Sequence, residues 1–155
     1  ILTDLTTFNL SEQIRACVLL LEEKWSRKEL DLDLEFPEYT IRANEELLKQ
    51  VWINLLDNAI KYSPNYGEIG VRISEGPETL AVTITNYGPD IPKDKVSRIW
   101  GKFYQADESH SSEGNGIGLA VVKQVVQLHG GTATVDSGSG STTFTVELPK
   151  QEETV

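Results

Sequence analysis

Residues 44–64 read NEELLKQVWINLLDNAIKYSP, and the way this segment folds sets the architecture predicted for the whole 155-residue chain. Asn44 is a good helix-capping residue, and the two glutamates after it suit the positive end of a helix dipole. Pro64 disfavours helical backbone at the residue before it. The segment therefore predicts a helix from about residue 45 to about residue 62. Its apolar stripe falls at helical spacing and consists of Leu48, Val51, Leu55, Ala59 and Tyr62.

A second stripe of the same helix is polar and also repeats at three- and four-residue spacing. It consists of Gln50, Asn54, Asp57, Asn58 and Lys61. One interpretation is a solvated helix face. The other is a binding surface, because an amide oxygen can ligate a hard cation such as Mg²⁺ while Lys61 neutralises a phosphate.

Two alternating runs, residues 68–75 and 79–86, follow this helix and predict a β-hairpin. The side chains expected to face inward are Ile69, Val71, Ile73, Leu80, Val82 and Ile84. Asn86 continues the inward phase, so a polar amide is predicted at the end of a buried strand face, where it needs partners. We interpret Asn86 either as a turn-capping residue before Gly88-Pro89 or as a recognition group for a planar heterocycle.

The rest of the chain alternates between helical and extended patterns. The predicted elements are a helix from Leu10 to Trp25 capped by Asn9 or Ser11, a strand over 30–36, a short extended piece over 39–43, a short helix over 93–100, a helix over 117–128, and strands over 132–136 and 142–148. Residues 101–115 are mostly polar and irregular, which is typical of a mobile functional loop. The adjacent hairpins predict a mixed sheet with helices on one face.

The segment Gly114-Asn115-Gly116-Ile117-Gly118 opens the last predicted helix. Backbone N–H groups at a helix N-terminus hold anions, and glycines let a phosphate come close. The spacing is neither that of a dinucleotide-binding fingerprint nor that of a P-loop. A glycine-rich hinge for a moving loop is the alternative interpretation.

Composition excludes several other classes of protein. With 14 Lys and Arg against 24 Asp and Glu, the net charge is -10, which disfavours a general nucleic-acid or anionic-membrane binder. Cys17 is the only cysteine, so no internal disulfide forms, and the two distant histidines argue against a Cys/His zinc site. No apolar run is long enough to span a bilayer, so we expect no direct membrane insertion by this chain. Because the chain begins at Ile1 and contains no Met, we expect a piece of a longer protein.

Five segments together resemble the sequence boxes of sensor histidine kinases, in the same order and with matching gaps. Residues 54–63 resemble the N box, 86–92 the first glycine box, 99–107 the F box, 114–120 the second glycine box and 138–144 the closing glycine segment. The resemblance implies a Bergerat-type fold, an α/β two-layer sandwich in which a mixed, mostly antiparallel sheet of about five strands packs on three helices. It also implies an ATP-binding domain over 1–150, with a flexible lid at about 93–115 and a disordered tail over 151–155. The phosphoacceptor helical hairpin and the sensor regions would be absent.

The resemblance implies that ATP and Mg²⁺ are the cofactors. Asn58 would ligate Mg²⁺ and act with Lys61 in catalysis, Tyr62 would pack near adenine and Phe103 would anchor the lid. The implied nucleotide contacts are Asn54, Asn58, Lys61, Tyr62, Asn86, Gly88, Asp90, Ile91, Lys102, Tyr104, Gln105, Gly114, Gly116, Gly118, Leu119 and Thr143.

The implied activity is transfer of the γ-phosphoryl group to a histidine nitrogen on a separate helical-hairpin domain, followed by a response regulator as the next partner. Neither His110 nor His129 is expected to accept the phosphoryl group, and a cationic His129 would suit the end of the last helix. The domain would lie in the cytoplasm, with the parent protein anchored in the bacterial inner membrane.

Three departures from the family pattern affect the implied site. Asn86 stands where the family reads adenine with an Asp, which removes the charge-assisted share of that hydrogen bond, about 1 kcal/mol. Asp90 stands where the family has a glycine and is an alternative acceptor for adenine. Gln105 stands where the family often has a basic residue.

The related ATPases of gyrase, mismatch-repair and chaperone type hydrolyse ATP with a Glu at the position of Asn54, and an amide cannot take a proton from water. Sigma-factor-regulating serine kinases remain a minor alternative. A non-catalytic docking module of the same fold is the other alternative.

Overall fold

The computed structural model describes residues 1–101 and 118–151, and the central helix is the one that residues 44–64 predict. Helix α3 spans Glu45–Tyr62, and the Asn44 side chain caps it by accepting a hydrogen bond from the Leu47 N–H. The apolar stripe packs inward: Leu48, Val51, Leu55 and Ala59 are buried. The predicted helix is therefore confirmed over its eighteen residues. The capping residue and the apolar periodicity both favour a helix in this segment, so the local signals do not conflict with the fold.

The main sheet has five strands in the order β2-β4-β5-β7-β6, which are Asp31–Asp33, Glu68–Glu75, Thr79–Tyr87, Ser141–Pro149 and Thr132–Gly138. Strands β2 and β4 are parallel, and every other neighbouring pair is antiparallel. The predicted mixed, mostly antiparallel sheet is therefore confirmed. All six side chains predicted to face inward from the hairpin are buried.

The part of the chain that the structure describes has three further α-helices: α1 at Leu10–Leu20, α2 at Glu22–Arg27 and α4 at Gly118–Leu128. The predicted first helix is divided because Leu21 leaves helical geometry, with ψ at 12°. Of the two candidate caps for α1, Asn9 accepts from the Glu12 N–H. Ser11 is buried instead, and its hydroxyl donates to the Pro37 carbonyl.

Two extended segments differ from the sequence prediction. The strand predicted over 30–36 is paired only at Asp31–Asp33, because only these three residues face a partner, at the start of β4. A strand that was not predicted, β1 at Thr6–Asn9, pairs antiparallel with β3 at Thr40–Ala43 in a separate two-stranded sheet. Its partner is about 35 residues away, so local pattern does not reveal it.

The short helix predicted over 93–100 is reduced to a single 3₁₀ turn at Val96–Arg98. The following Ile99 is buried, and Trp100 packs edge-on against Phe144 with ring centroids 5.6 Å apart. Ile99 and Trp100, which fall within the predicted lid, are thus packed against the core. Residues 102–115 of the lid and 152–155 of the tail lie outside the described residues.

His129 corrects one expectation about charge. It is buried, its Nε2 accepts a hydrogen bond from the Asn44 N–H at 3.1 Å, and its Nδ1 lies 2.9 Å from the Val125 carbonyl. An imidazolium has no acceptor nitrogen, so this geometry requires a neutral ring rather than the expected cation. The ring joins the end of α4 to the start of α3.

Candidate functional site

The residues in the polar stripe of α3 differ in whether their side chains have partners. Asp57 pairs with Lys24 of α2, with Nζ and Oδ1 2.7 Å apart. Asn58 is half-buried, and its side chain makes no hydrogen bond to residues 1–101 or 118–151. The Lys61 ammonium lies 5.4 Å from the centre of the Tyr62 ring. The Asn58 amide is therefore available to a ligand beside a lysine one turn further along the helix.

Gly118 brings the start of α4 against the middle of α3. A Cβ at this position would lie 2.6 Å from the Asn54 Oδ1, closer than side chains approach. The Asn54 Nδ2 in turn donates to the Gln50 carbonyl at 2.7 Å. Gly118 of the second glycine box is thus adjacent to the N box, and α4 begins beside the polar stripe of α3.

Gly88 brings the first glycine box against the end of the same helix. A Cβ on Gly88 would lie 2.5 Å from the Tyr62 carbonyl oxygen, which belongs to the backbone and cannot swing aside. The loop after β5 therefore packs directly on the last turn of α3. The structure thus brings Gly88 against Tyr62, 26 residues earlier in the sequence, and Gly118 against Asn54, 64 residues earlier.

Asn86 lies at the end of the inner face of β5 and is 3% exposed, which confirms the predicted inward phase. The residue directly opposite on β7 is the buried Thr142, and Ser137 of β6 lies opposite Thr142. The Ser137 and Thr142 hydroxyl oxygens are 2.7 Å apart. Sequence reasoning did not single out these two residues, although each continues the inward alternation of its strand.

The loop over 88–91 is held by the turn between β6 and β7. The Gly88 N–H donates to the Gly140 carbonyl at 3.1 Å, and the Gly140 N–H donates to the Asp90 Oδ1 at 2.9 Å. The Ile91 N–H donates to the Ser137 hydroxyl at 2.8 Å. Asp90 is exposed and is engaged in fixing this turn.

Thr143 does not join this cluster. It lies on the face of the sheet opposite to Thr142 and Asn86, and its hydroxyl is 2.8 Å from that of Thr85. The side chains of Ile91 and Leu119 pack half-buried against the core. Five other predicted contacts lie outside the described residues: Lys102, Tyr104, Gln105, Gly114 and Gly116.

Lys28 is a supporting residue that sequence reasoning missed. Its ammonium donates to three carbonyls at the end of α3, those of Ile60 at 2.8 Å, Lys61 at 2.9 Å and Ser63 at 2.9 Å. The last carbonyls of a helix lack partners within the helix and carry its negative dipole. Lys28 thereby fixes the turn that carries Lys61 and Tyr62.

We expect Lys28→Met to lower the free energy of unfolding by about 2 kcal/mol, because hydrogen bonds from a charged donor are lost while the aliphatic stem remains. Chemical denaturation measures this change. Lys24→Met is the matched control, since Lys24 makes an exposed ion pair worth at most about 1 kcal/mol. Equal losses in the two variants would contradict the role given to Lys28.

The described residues offer neither a thiol nucleophile nor a side-chain metal cluster. Burial raises the pKa of the Cys17 thiol to about 11, so it remains protonated at neutral pH. No group of three or more His, Cys, Asp or Glu side chains converges among residues 1–101 and 118–151. Within the same residues, no helix is both long and apolar enough to cross a membrane.

The chain folds as a two-layer α/β domain. Its polar groups lie at one end of the sheet, beside α3 and α4, and this arrangement is typical of a ligand-binding domain. Comparison with known proteins gives the family: residues 43–152 match the family described as histidine kinase-, DNA gyrase B- and HSP90-like ATPase. The chain belongs to this family, within the branch of the sensor histidine kinases.

The curated relatives and the solved structures agree on this branch. The chain is 39% identical over 142 residues to the heme sensor protein HssS of Staphylococcus saprophyticus, which covers 88% of this chain and 30% of that protein. It is 36% identical over 118 residues to the sensor histidine kinase WalK of Bacillus subtilis, covering 73% of this chain and 19% of WalK.

The catalytic domain of histidine kinase ThkA superposes with a TM-score of 0.85 at 29% identity, over 96% of this chain and 97% of that one. A ThkA structure in complex with the response regulator protein TrrA gives a TM-score of 0.82 at 28% identity, over 95% of this chain and 42% of that one. The chain thus matches a whole catalytic domain, but it spans less than a third of these two curated relatives.

Proposed function

We propose that this chain is the ATP-binding catalytic domain of a two-component sensor histidine kinase. It binds Mg-ATP and transfers the γ-phosphoryl group to a histidine on a separate helical-hairpin domain. Beyond family membership, one observation carries the proposal: the Asn86 amide is 3% exposed and has no hydrogen-bonding partner among residues 1–101 and 118–151. A buried amide without a partner is costly, and a purine base supplies the missing donors and acceptors.

The residues around Asn86 fit the other parts of a nucleotide. The Asn58 amide oxygen would hold Mg²⁺, which would supply positive charge to the phosphates. Lys61 adds a positive charge on the same helix face. The first N–H groups of α4, which starts at Gly118, suit phosphate oxygens. Asp90 already accepts from the Gly140 N–H, which favours Asn86 over Asp90 as the group that reads the base.

Asn54 favours phosphoryl transfer over ATP hydrolysis. Its amide stands one helical turn before Asn58, where a carboxylate would be needed to take a proton from water. That amide is instead held between the Gln50 carbonyl and Gly118. Transfer to a histidine nitrogen needs positioning and charge neutralisation, which this chain's residues supply, and the acceptor comes from the partner domain.

The proposed partners are the phosphoacceptor helical hairpin of the same kinase and a response regulator. The complex of ThkA with TrrA supports a response regulator as a partner. Nucleic acid is not among the proposed partners, because the chain has a net charge of -10 and would repel a phosphate backbone. We propose that the domain works in the cytoplasm and that its parent is anchored in the bacterial inner membrane.

Calorimetric titration of this chain with a non-hydrolysable ATP analogue, with and without Mg²⁺, tests the proposal. We expect binding in the micromolar to submillimolar range, strengthened by the metal. A folded chain that releases no heat at millimolar nucleotide would instead indicate the non-catalytic docking module. Phosphoryl transfer from ATP to a supplied helical-hairpin domain then tests the kinase activity itself.

Asn58→Ala separates the metal role from base binding. We expect the affinity for the Mg-ATP analogue to fall about tenfold, since a ligand worth about 1.4 kcal/mol is lost, with little change in metal-free binding. Asn65→Ala is the control, because Asn65 is exposed and lies in the turn after α3. An equal loss with and without Mg²⁺ would remove Asn58 from the metal site.

A further inference from the structure

The strand neighbours of Asn86 do not determine which end of its side-chain amide, Oδ1 or Nδ2, faces a ligand. It is the last inward-facing residue of β5, with Ile69 of β4 on one side and Thr142 of β7 on the other. Ile69 is apolar, so it offers the amide neither a donor nor an acceptor. Among residues 1–101 and 118–151, no group donates to or accepts from the Asn86 side chain.

The neighbouring polar groups do not select one orientation either. The Thr142 and Ser137 hydroxyls are 2.7 Å apart, and either can be the donor, so Thr142 can present a proton or a lone pair. The nearby carboxylate of Asp90 is engaged with the Gly140 N–H. Within the described ranges 1–101 and 118–151, no hydrogen bond fixes which end of the Asn86 amide faces a ligand.

We propose that this site accepts purine nucleotides with either an amino or an oxo group at position 6. In one orientation the Asn86 Oδ1 accepts from the 6-amino group of adenine while Nδ2 donates to ring nitrogen N1. After a half-turn of the amide, Nδ2 donates to the 6-oxo group of hypoxanthine and Oδ1 accepts from its N1–H. A carboxylate only accepts, so it would pair with one group of each base and face an acceptor at the other, whereas the amide matches both groups of either base.

This inference rests on the proposed function, because it requires a purine against Asn86. Calorimetric titration of the wild-type chain with Mg-ADP and with Mg-IDP tests it. IDP is the chosen probe because it differs from ADP only in the 6-oxo group and the N1 proton, and it lacks the 2-amino group of guanine. We expect the two dissociation constants to agree within fivefold. A preference for ADP above fivefold overturns the inference.

Asn86→Leu supplies the second measurement. We expect the affinities for ADP and for IDP each to fall at least tenfold, because an apolar side chain of similar size neither donates nor accepts. Asn65→Leu makes the same replacement at an exposed position and should leave both affinities unaltered. Unchanged affinity for either nucleotide in Asn86→Leu overturns the inference, because that base would then be read by another residue.

The outcomes separate the two proposals. Binding of ADP with rejection of IDP leaves the proposed function standing and overturns only the relaxed purine preference. Binding of neither nucleotide to the folded wild-type chain overturns both. If Asn86→Leu fails to fold, the ratio of the two wild-type dissociation constants alone decides the question.

Discussion

Replacing Gly88 by alanine should lower the free energy of unfolding by about 2–3 kcal/mol, the cost of forcing an extra methyl group into a closed contact. The new Cβ would lie 2.5 Å from the Tyr62 carbonyl oxygen. Relief requires the backbone of the loop or of α3 to move, because no side-chain rotation removes that oxygen. The displaced loop carries the residues next to Asn86, so nucleotide affinity should fall as well.

Chemical denaturation and an ADP titration measure the two effects of Gly88→Ala. Gly70→Ala is the matched control, since a Cβ on Gly70 in β4 meets no atom within 4 Å. That control should be neutral or slightly stabilising, because alanine restricts the unfolded chain more than glycine does. If the two variants were equally stable, the close approach between Gly88 and α3 would not exist in solution.

Replacing His129 by leucine should cost about 2–3 kcal/mol, because it leaves the Asn44 N–H without its acceptor while the core volume remains nearly filled. The effect falls on the start of α3, where Asn44 is the capping residue. The buried ring also links the end of α4 to that cap, so the variant loses a contact that joins the two helices. Denaturation curves for the two proteins give the difference.

His129→Gln is the matching rescue variant, since its side-chain oxygen can accept from the Asn44 N–H in place of Nε2. We expect it to recover at least half of the stability lost in His129→Leu. If glutamine proved as destabilising as leucine, the loss would come from packing, and the hydrogen bond to Asn44 would not explain why a histidine is buried there.

Helices and strands could be predicted from the sequence where the capping residues and periodicity that determine them lie within one short segment. Helix α3 has a cap, an apolar stripe and a proline stop inside twenty residues, and its predicted bounds agree with Glu45–Tyr62. The hairpin of β4 and β5 alternates strictly, which gave its inward face and the buried position of Asn86. The family resemblance also rested on contiguous boxes of sequence, and the comparisons confirm it.

Contacts between segments that are distant in the sequence could not be predicted. No pattern in Thr6–Asn9 indicates its pairing with β3, and nothing near Lys28 indicates the three carbonyls at the end of α3. Asp90 was an alternative acceptor for adenine, and only the folded structure reveals that its Oδ1 accepts from the Gly140 N–H. Thr143 was one residue out of phase with the inward face, and a one-residue shift moves a side chain to the other side of a sheet.

By itself, the sequence determined the helix and strand periodicities, the capping residues, the net charge and the family. Each of these depends on residues close together in the chain or on composition. The tertiary structure alone decided which polar groups remain available to a ligand. That property depends on the partners each group finds after folding: Asp90 and His129 find them across the fold, while the buried Asn86 amide finds none among the described residues.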